Sequence, residues 1–199
     1  NIASLGAYQS TLSGGDDAFI VKFNSMGVRQ WGTYYGGAGD ENGEKISTDV
    51  SGNIVLVGNT YGSTSINLAT IGSHQTTLGG GVDAFIVKFN SMGALQWGTY
   101  YGGGGDDKGY DIVTDTLGNV MVTGKTTSTT NIATPGAYQT VIGALNSFYG
   151  DGFIVVFDSL GSRKWGTYYG GNGGDWANGC TLDRHGNLLM VGTTNSSSA

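Results

Sequence analysis

One proline, one cysteine and two histidines stand among 199 residues. A lone Cys180 can close no internal disulfide and offers no metal-ligand spacing. His74 and His185 have no nucleophile and acid at a spacing that suggests a Ser-His-Asp arrangement. Charge is scarce as well, with 9 Lys and Arg against 15 Asp and Glu and a net charge of −6. No basic stripe exists to neutralise phosphates, so nucleic acid is not an expected partner. No apolar run approaches the roughly 18 residues that mark a membrane-spanning helix, and helical periodicity is nowhere convincing.

What the chain does have is glycine, 38 residues of it, together with 38% hydrophobic and 11% aromatic residues. That apolar content supports a packed interior and excludes a disordered tail. No strict Gly-X-Y period appears, which excludes collagen. Many glycines between short apolar runs read as turns between short strands. The chain opens on Asn1 rather than Met, as expected of a processed or truncated piece of something longer.

Self-similarity decides the fold. WGTYYGG occurs three times, and its tryptophans, Trp31, Trp97 and Trp165, lie 66 and 68 residues apart. AFIVKFNSMG from Ala18 recurs from Ala84 and returns as GFIVVFDSLG from Gly152. STDVSGNIVLVGNT, VTDTLGNVMVTGKT and TLDRHGNLLMVGTT follow the Trp blocks, and NIASLGAYQ, NLATIGSHQ and NIATPGAYQ start at Asn1, Asn67 and Asn131. Each copy holds four strand candidates, in the first copy Phe19–Phe23, Arg29–Tyr35, Lys45–Asp49 and Ile54–Val57. FIVKF and IVLV are almost unbroken apolar runs, the mark of a strand covered on both faces.

Four short antiparallel strands at a fixed period are the signature of propeller blades. The expected fold class is therefore all-β, with β-propeller-type four-stranded blade repeats. A blade is expected to run Lys45–Asp49 innermost, then Asn53–Gly58, Ala84–Asn90 and Leu95–Tyr101. Small residues such as Ser47 and Thr48 suit the crowded axis. A Gly/Ser/Thr-rich loop of about 20 residues joins the second and third strands and lengthens the period beyond familiar propeller repeats. This phasing divides one repeat domain, 1–199, into an outer half blade (1–44), two blades (45–110 and 111–178) and an inner half blade (179–199). That makes about three blades, a partial ring completed by further blades of a longer chain or by other copies of itself, since rings hold about four to eight.

The ordered pattern DAFIVKFNSMG, QWGTYYGG, an acidic GD loop, TDxxGNVxVTG and TPGAYQ resembles the SBBP family, named for seven-bladed β-propellers, over nearly all of the chain. The resemblance implies a bacterial, secreted or surface-exposed protein and no established catalytic site. The inner hairpin also looks like an NHL-type blade, a likeness that speaks for fold only.

The loops after the Trp strands, Gly36–Glu44, Gly102–Asp111 and Gly170–Gly179, are acidic and glycine-rich. They read as inter-blade turns. The alternative is a calcium site using Asp40, Glu41, Asp106, Asp107 and Asp175, because carboxylate and carbonyl oxygens suit a hard cation. No other cofactor is expected. Asp49, Asp115 and Asp183 precede Gly-Asn turns and read as acceptors for turn amides. Trp31, Trp97 and Trp165 are expected between blades, and Cys180, in register with Ile46 and Ile112, as a buried small hydrophobe. Strand alternation points one tyrosine of each Tyr-Tyr pair outward, so Tyr35, Tyr101 and Tyr169, with Trp176 in a polar loop, are the candidate ligand contacts.

Repetition itself favours structure over catalysis, because an active site needs different residues at different positions. The expected function is thus a non-enzymatic secreted or cell-surface module for adhesion, scaffolding or protein interaction. The alternative is a carbohydrate-binding module that stacks exposed Tyr or Trp on sugar rings. The expected partner is accordingly a protein or a surface glycan.

Overall fold

β-Branched and aromatic runs bounded by Gly turns extend wherever the repeat places them. The computed structural model describes residues 2–62, 68–143 and 149–197; the block starts Asn1 and Asn67 lie outside these. The described residues form strands β1 (Ala18–Phe23), β2 (Arg29–Tyr35), β3 (Asp40–Thr48), β4 (Ile54–Tyr61), β5 (Val82–Phe89) and β6 (Leu95–Tyr101). They continue with β7 (Asp107–Thr114), β8 (Val120–Thr126), β9 (Asp151–Phe157), β10 (Arg163–Tyr169), β11 (Asp175–Leu182) and β12 (Leu188–Thr194). All pairing within the four sheets is antiparallel. Two sheets have four strands, ordered β3-β4-β5-β6 and β7-β8-β9-β10; two have two, β1-β2 and β11-β12. The all-β expectation with propeller-type blades is borne out.

The inner strands are longer than expected. β3, β7 and β11 begin at Asp40, Asp107 and Asp175, inside the acidic loops, so the boundaries expected after 44, 110 and 178 fall within these strands. The physical reason is a bulge, at Gly43/Lys45, Gly109/Asp111 and Ala177/Gly179. One extra residue is absorbed there. Pairing then resumes, and Asp40 ends up opposite Tyr61.

Alternation explains why the middle strands are apolar on both sides. Ile54 and Leu56 join Phe85, Val87 and Phe89 in a core with Ala18, Ile20 and Tyr35 of the first hairpin. Val55 and Val57 face the other way with Ala84 and Ile86, into a second core with Ile112, Val120, Val122, Phe153, Val155 and Phe157. Each sheet thus fills the junctions on both its sides. The equivalent positions Ile46 and Ile112 part company for this reason. Ile112 is buried against the blade before it, whereas Ile46 is exposed because only the hairpin β1-β2 precedes β3. Cys180 lies between these extremes, half-buried.

Junctions are sealed by specific polar contacts. At the inner end, Thr114 Oγ1 donates to the Thr48 carbonyl at 2.8 Å and lies 3.2 Å from Ser47 Oγ. At the outer end, the indoles of Trp31 and Trp97 donate to the carbonyls of Ser91 and Ser159, both at 3.1 Å. Each indole lies over the next blade's turn glycine, Gly93 or Gly161. Those glycines have φ of 85° and 87°, and a side chain there would meet the ring. The loop between second and third strands returns along the outer strand, where Thr70 and Gln75 hydrogen-bond the backbone of Gly98 and Tyr100. It covers an edge that would otherwise stay open.

Tyr101 is fully buried, and its hydroxyl donates to the Ile132 carbonyl at 2.7 Å. Tyr101→Phe is expected to cost about 1–2 kcal/mol in urea unfolding, because that buried carbonyl loses its donor.

Candidate functional site

The Tyr-Tyr-Gly-Gly turn and the acidic loop meet at one end of each blade, where two carboxylates come together, both buried in the second and third copies. In the middle copy these are Asp83, at the start of β5, and Asp107, which opens β7; neither is exposed. Asp83 Oδ2 accepts from Gln75 Nε2 at 2.7 Å and from the Gly79 amide at 2.8 Å. Asp107 Oδ2 accepts from the Gly103 amide at 2.7 Å and Ser128 Oγ at 2.6 Å, and Thr126 Oγ1 donates to its other oxygen. A Cβ on Gly102 would stand 2.6 Å from Asp107 Oδ2 and 2.7 Å from Asp83 Oδ1. Only glycine passes between the two carboxylates.

The other copies repeat this arrangement. Gln9 and Gln139 donate to Asp17 and Asp151 and accept from the Gly36 and Gly170 amides, as Gln75 does from Gly102. Glu41 and Asp175 accept from the amides of Gly37 and Gly171 at 2.6 and 2.8 Å. The glutamines and the first carboxylate of each pair escape a reading of the acidic loops alone. Their signal is present nonetheless: Gln closes all three GAYQ-type blocks, and Asp stands directly before AFIV, AFIV and GFIV.

These contacts correct the calcium reading. Glu41, Asp107 and Asp175 point inward and are occupied by loop amides and hydroxyls. Asp40 and Asp106 lie on the outside; Asp40 Oδ1 accepts from the Asp16 amide at 3.2 Å, and the Asp106 amide is bound by Thr127 Oγ1. The adjacent carboxylates therefore face opposite ways, as neighbours on a strand must. Among the described residues no three His, Cys, Asp or Glu side chains form a group that could hold a metal.

The ligand-contact candidates also separate. Tyr35 and Tyr101 are corrected to core residues: both are buried, and the Tyr35 hydroxyl donates to the Leu68 carbonyl as Tyr101 does to Ile132. Alternation fails to expose one tyrosine of the pair because neighbouring blades cover both faces; Tyr100 and Tyr168 are buried too. Tyr169 is 52% exposed and stacks with Tyr138, ring centroids 5.9 Å apart. Beside them opens a cleft of about 850 Å³ that also reaches Gln139, Asn172 and Asp175. Trp176 is half-buried under Lys125, whose Nζ lies 4.7 Å from the ring centroid. Its ring therefore serves as a local cover.

The opposite end of the blades carries the hairpin turns. Asp49 accepts from the amides of Ser51 and Asn53 and from Asn53 Nδ2, and Asp115 and Asp183 do the same in their turns. Asp49 also meets Lys88 Nζ at 2.9 Å. Burial pushes its pKa upward, but hydrogen bonds from Lys88 and Asn53 outweigh that and hold it at about 2. Around this ion pair Val50, Leu117 and Leu160 line a hollow with Trp97 and with polar neighbours that include Ser51, Asn53, Gln96 and Thr116, and Ile71 adjoins Leu160 in a second hollow. All four aliphatic side chains are exposed, as are Met26 and Met92 at the turn positions matching Leu160.

Four-stranded antiparallel meanders, stacked face to face through cores that cross from one sheet to the next, define this chain as a set of propeller blades. Residues 96–133 and 164–198 match the SBBP family, described as a beta-propeller repeat. It is also similar to an uncharacterised WD repeat-containing protein of Acanthamoeba polyphaga mimivirus, at 23% identity over 201 residues. That match covers 90% of this chain, which spans only 14% of the viral protein's length.

Burial, with the neighbouring Asp107 charge adding to it, raises the Asp83 pKa from 3.8 to about 6 against the pull of its hydrogen bonds. Asp107 is raised too, chiefly by burial. A carboxyl with a raised folded pKa holds its proton more tightly when folded. Stability therefore falls as pH rises from about 4 to about 6 and stays lower above it. Asp83→Asn should flatten this slope, because the amide does not titrate and removes the charge that faces Asp107. Melting curves of both proteins across pH 4–8 check this. Because the loop carboxylates are already satisfied, millimolar calcium should leave the melting temperature unchanged, whereas a native-state ligand would raise it.

Proposed function

We propose that this chain is a non-enzymatic protein-interaction module, part of a secreted or cell-surface bacterial protein that serves in adhesion or scaffolding. The observation that carries the reading is the turn face. Met26, Met92 and Leu160 recur there in register and exposed, and Val50, Leu117 and Ile71 add exposed apolar side chains among polar turn residues. Contiguous exposed apolar surface marks interaction sites. The match of two segments to a beta-propeller repeat supports the module, and the hydrogen bonds that the repeated carboxylates accept from loop amides and side chains support a structural use for them.

A glycan-binding reading retains only Tyr169, with Tyr138 and the polar groups of the adjoining cleft. Aromatic stacking there would be confined to the third copy.

Met92→Ser, Leu117→Ser and Leu160→Ser together should abolish retention of the chain's protein partner on producing cells while shifting the melting temperature little, because all three side chains are largely exposed. Surface labelling of intact cells expressing the parent protein checks the location. Retention unchanged by the triple variant but lost with Tyr169→Ser would replace this reading by the glycan one.

A further inference from the structure

The acidic-loop end of the middle blade holds two positive charges side by side. Lys108 of β7 and Lys125 of β8 stand directly opposite each other in the ladder. Like charges in that relation destabilise a sheet. The other copies avoid the conflict: the pair in register is Asn42 with Asn59 in the first and Trp176 with Thr193 in the third. The blade therefore needs lysine at neither position in order to form.

No carboxylate neutralises the pair. Among the described residues the ion pairs join Lys45 to Asp111 and Lys88 to Asp49, and neither Lys108 nor Lys125 has an acidic partner at that range. Each ammonium lies over a ring instead. Lys108 Nζ is 5.4 Å from the centroid of Tyr61, and Lys125 Nζ is 4.7 Å from that of Trp176. A ring attracts a cation and fixes its place but leaves its charge intact. Both lysines are half-buried. Burial, and after it the Lys108 charge, lower the Lys125 pKa, while Asp106 opposes them from beyond ion-pair reach. Tyr61 belongs to the preceding blade and Trp176 to the following hairpin, so the elements on both sides of the pair are in place.

A chain with 9 basic residues and a net charge of −6 thus sets two of them together, unpaired and at a cost to the sheet. A local rule broken with no gain to the fold points to a site. The chemistry of lysine narrows the ligand. An arginine fork matches a planar carboxylate, whereas an ammonium is a compact point charge with three donors and suits a phosphate-like group. Two of them balance a dianion and offer donors to several of its oxygens.

We propose that Lys108 and Lys125 form a binding site for a tetrahedral oxyanion, the phosphate or sulfate group of an ester, with Tyr61 and Trp176 holding the two ammoniums in position. The site lies at the end of the blades opposite the turn face, so it does not depend on the protein-interaction reading given above. A bound dianion relieves the repulsion across the ladder, and binding therefore stabilises the folded chain.

The purified chain is titrated at pH 7.5 and constant ionic strength with inorganic phosphate, inorganic sulfate and acetate, and followed by nitrogen–proton correlation spectra. Phosphate and sulfate are expected to shift the Trp176 indole N–H and the amides of Lys108 and Lys125, and to raise the melting temperature. Lys108→Gln and Lys125→Gln should each weaken binding by about tenfold. Lys125→Arg, which keeps the charge, should retain most of it, and Lys164→Gln, at an exposed lysine of β10, should change nothing. Circular dichroism confirms that the variants compared are folded. Glucose 6-phosphate and glucose 6-sulfate then tell which ester the site prefers. Acetate bound as tightly as the tetrahedral ions, shifts that miss Trp176 and both lysines, affinity lost equally on Lys164→Gln, or binding of the inorganic ions but of neither ester would each overturn the proposal.

Discussion

Strands that are apolar on both faces cannot be satisfied by one layer of protein. Val55 and Val57 look into one junction while Ile54 and Leu56 look into the other, so every full blade needs a neighbour on each side. The rest of the repeat serves that need. Small and hydroxylated residues let inner strands approach, as Ser47 and Thr114 do. Tyrosine and tryptophan fill the wider outer gap, and the turn glycines make room for the indole.

The polar groups that accompany this stacking are equally constrained. Two carboxylates flank one glycine at the foot of each outer strand, and in the middle copy burial raises the pKa of one of them, Asp83, to about 6. Their geometry binds three chain segments together: the start of the third strand, the turn after the fourth, and the start of the next inner strand. Glutamine completes the knot by donating to one carboxylate while accepting from the glycine amide.

The repeat period, the four strands and their order within the sheet were legible in the sequence, because each strand carries its own apolar run and each turn its own glycine. The start of the inner strands was not, since a bulge hides pairing inside a loop-like stretch such as DENGE. Tyr35 and Tyr101 misled for a related reason: alternation states which side a residue faces, and only the assembled stack shows that both sides are interior. The carboxylate pair was half visible. Asp107 stands in an acidic loop that draws notice, while its partner Asp83 stands at the head of a strand and reads as an ordinary flank. Gln75 carries no charge to mark it, and its importance emerges only from the two bonds it makes at once.

The long loop that runs back along the outer strand has a further effect. By occupying the backbone groups of β6 and β10, it denies those strands to any passing extended peptide, so the circumference of the stack is inert toward strand addition.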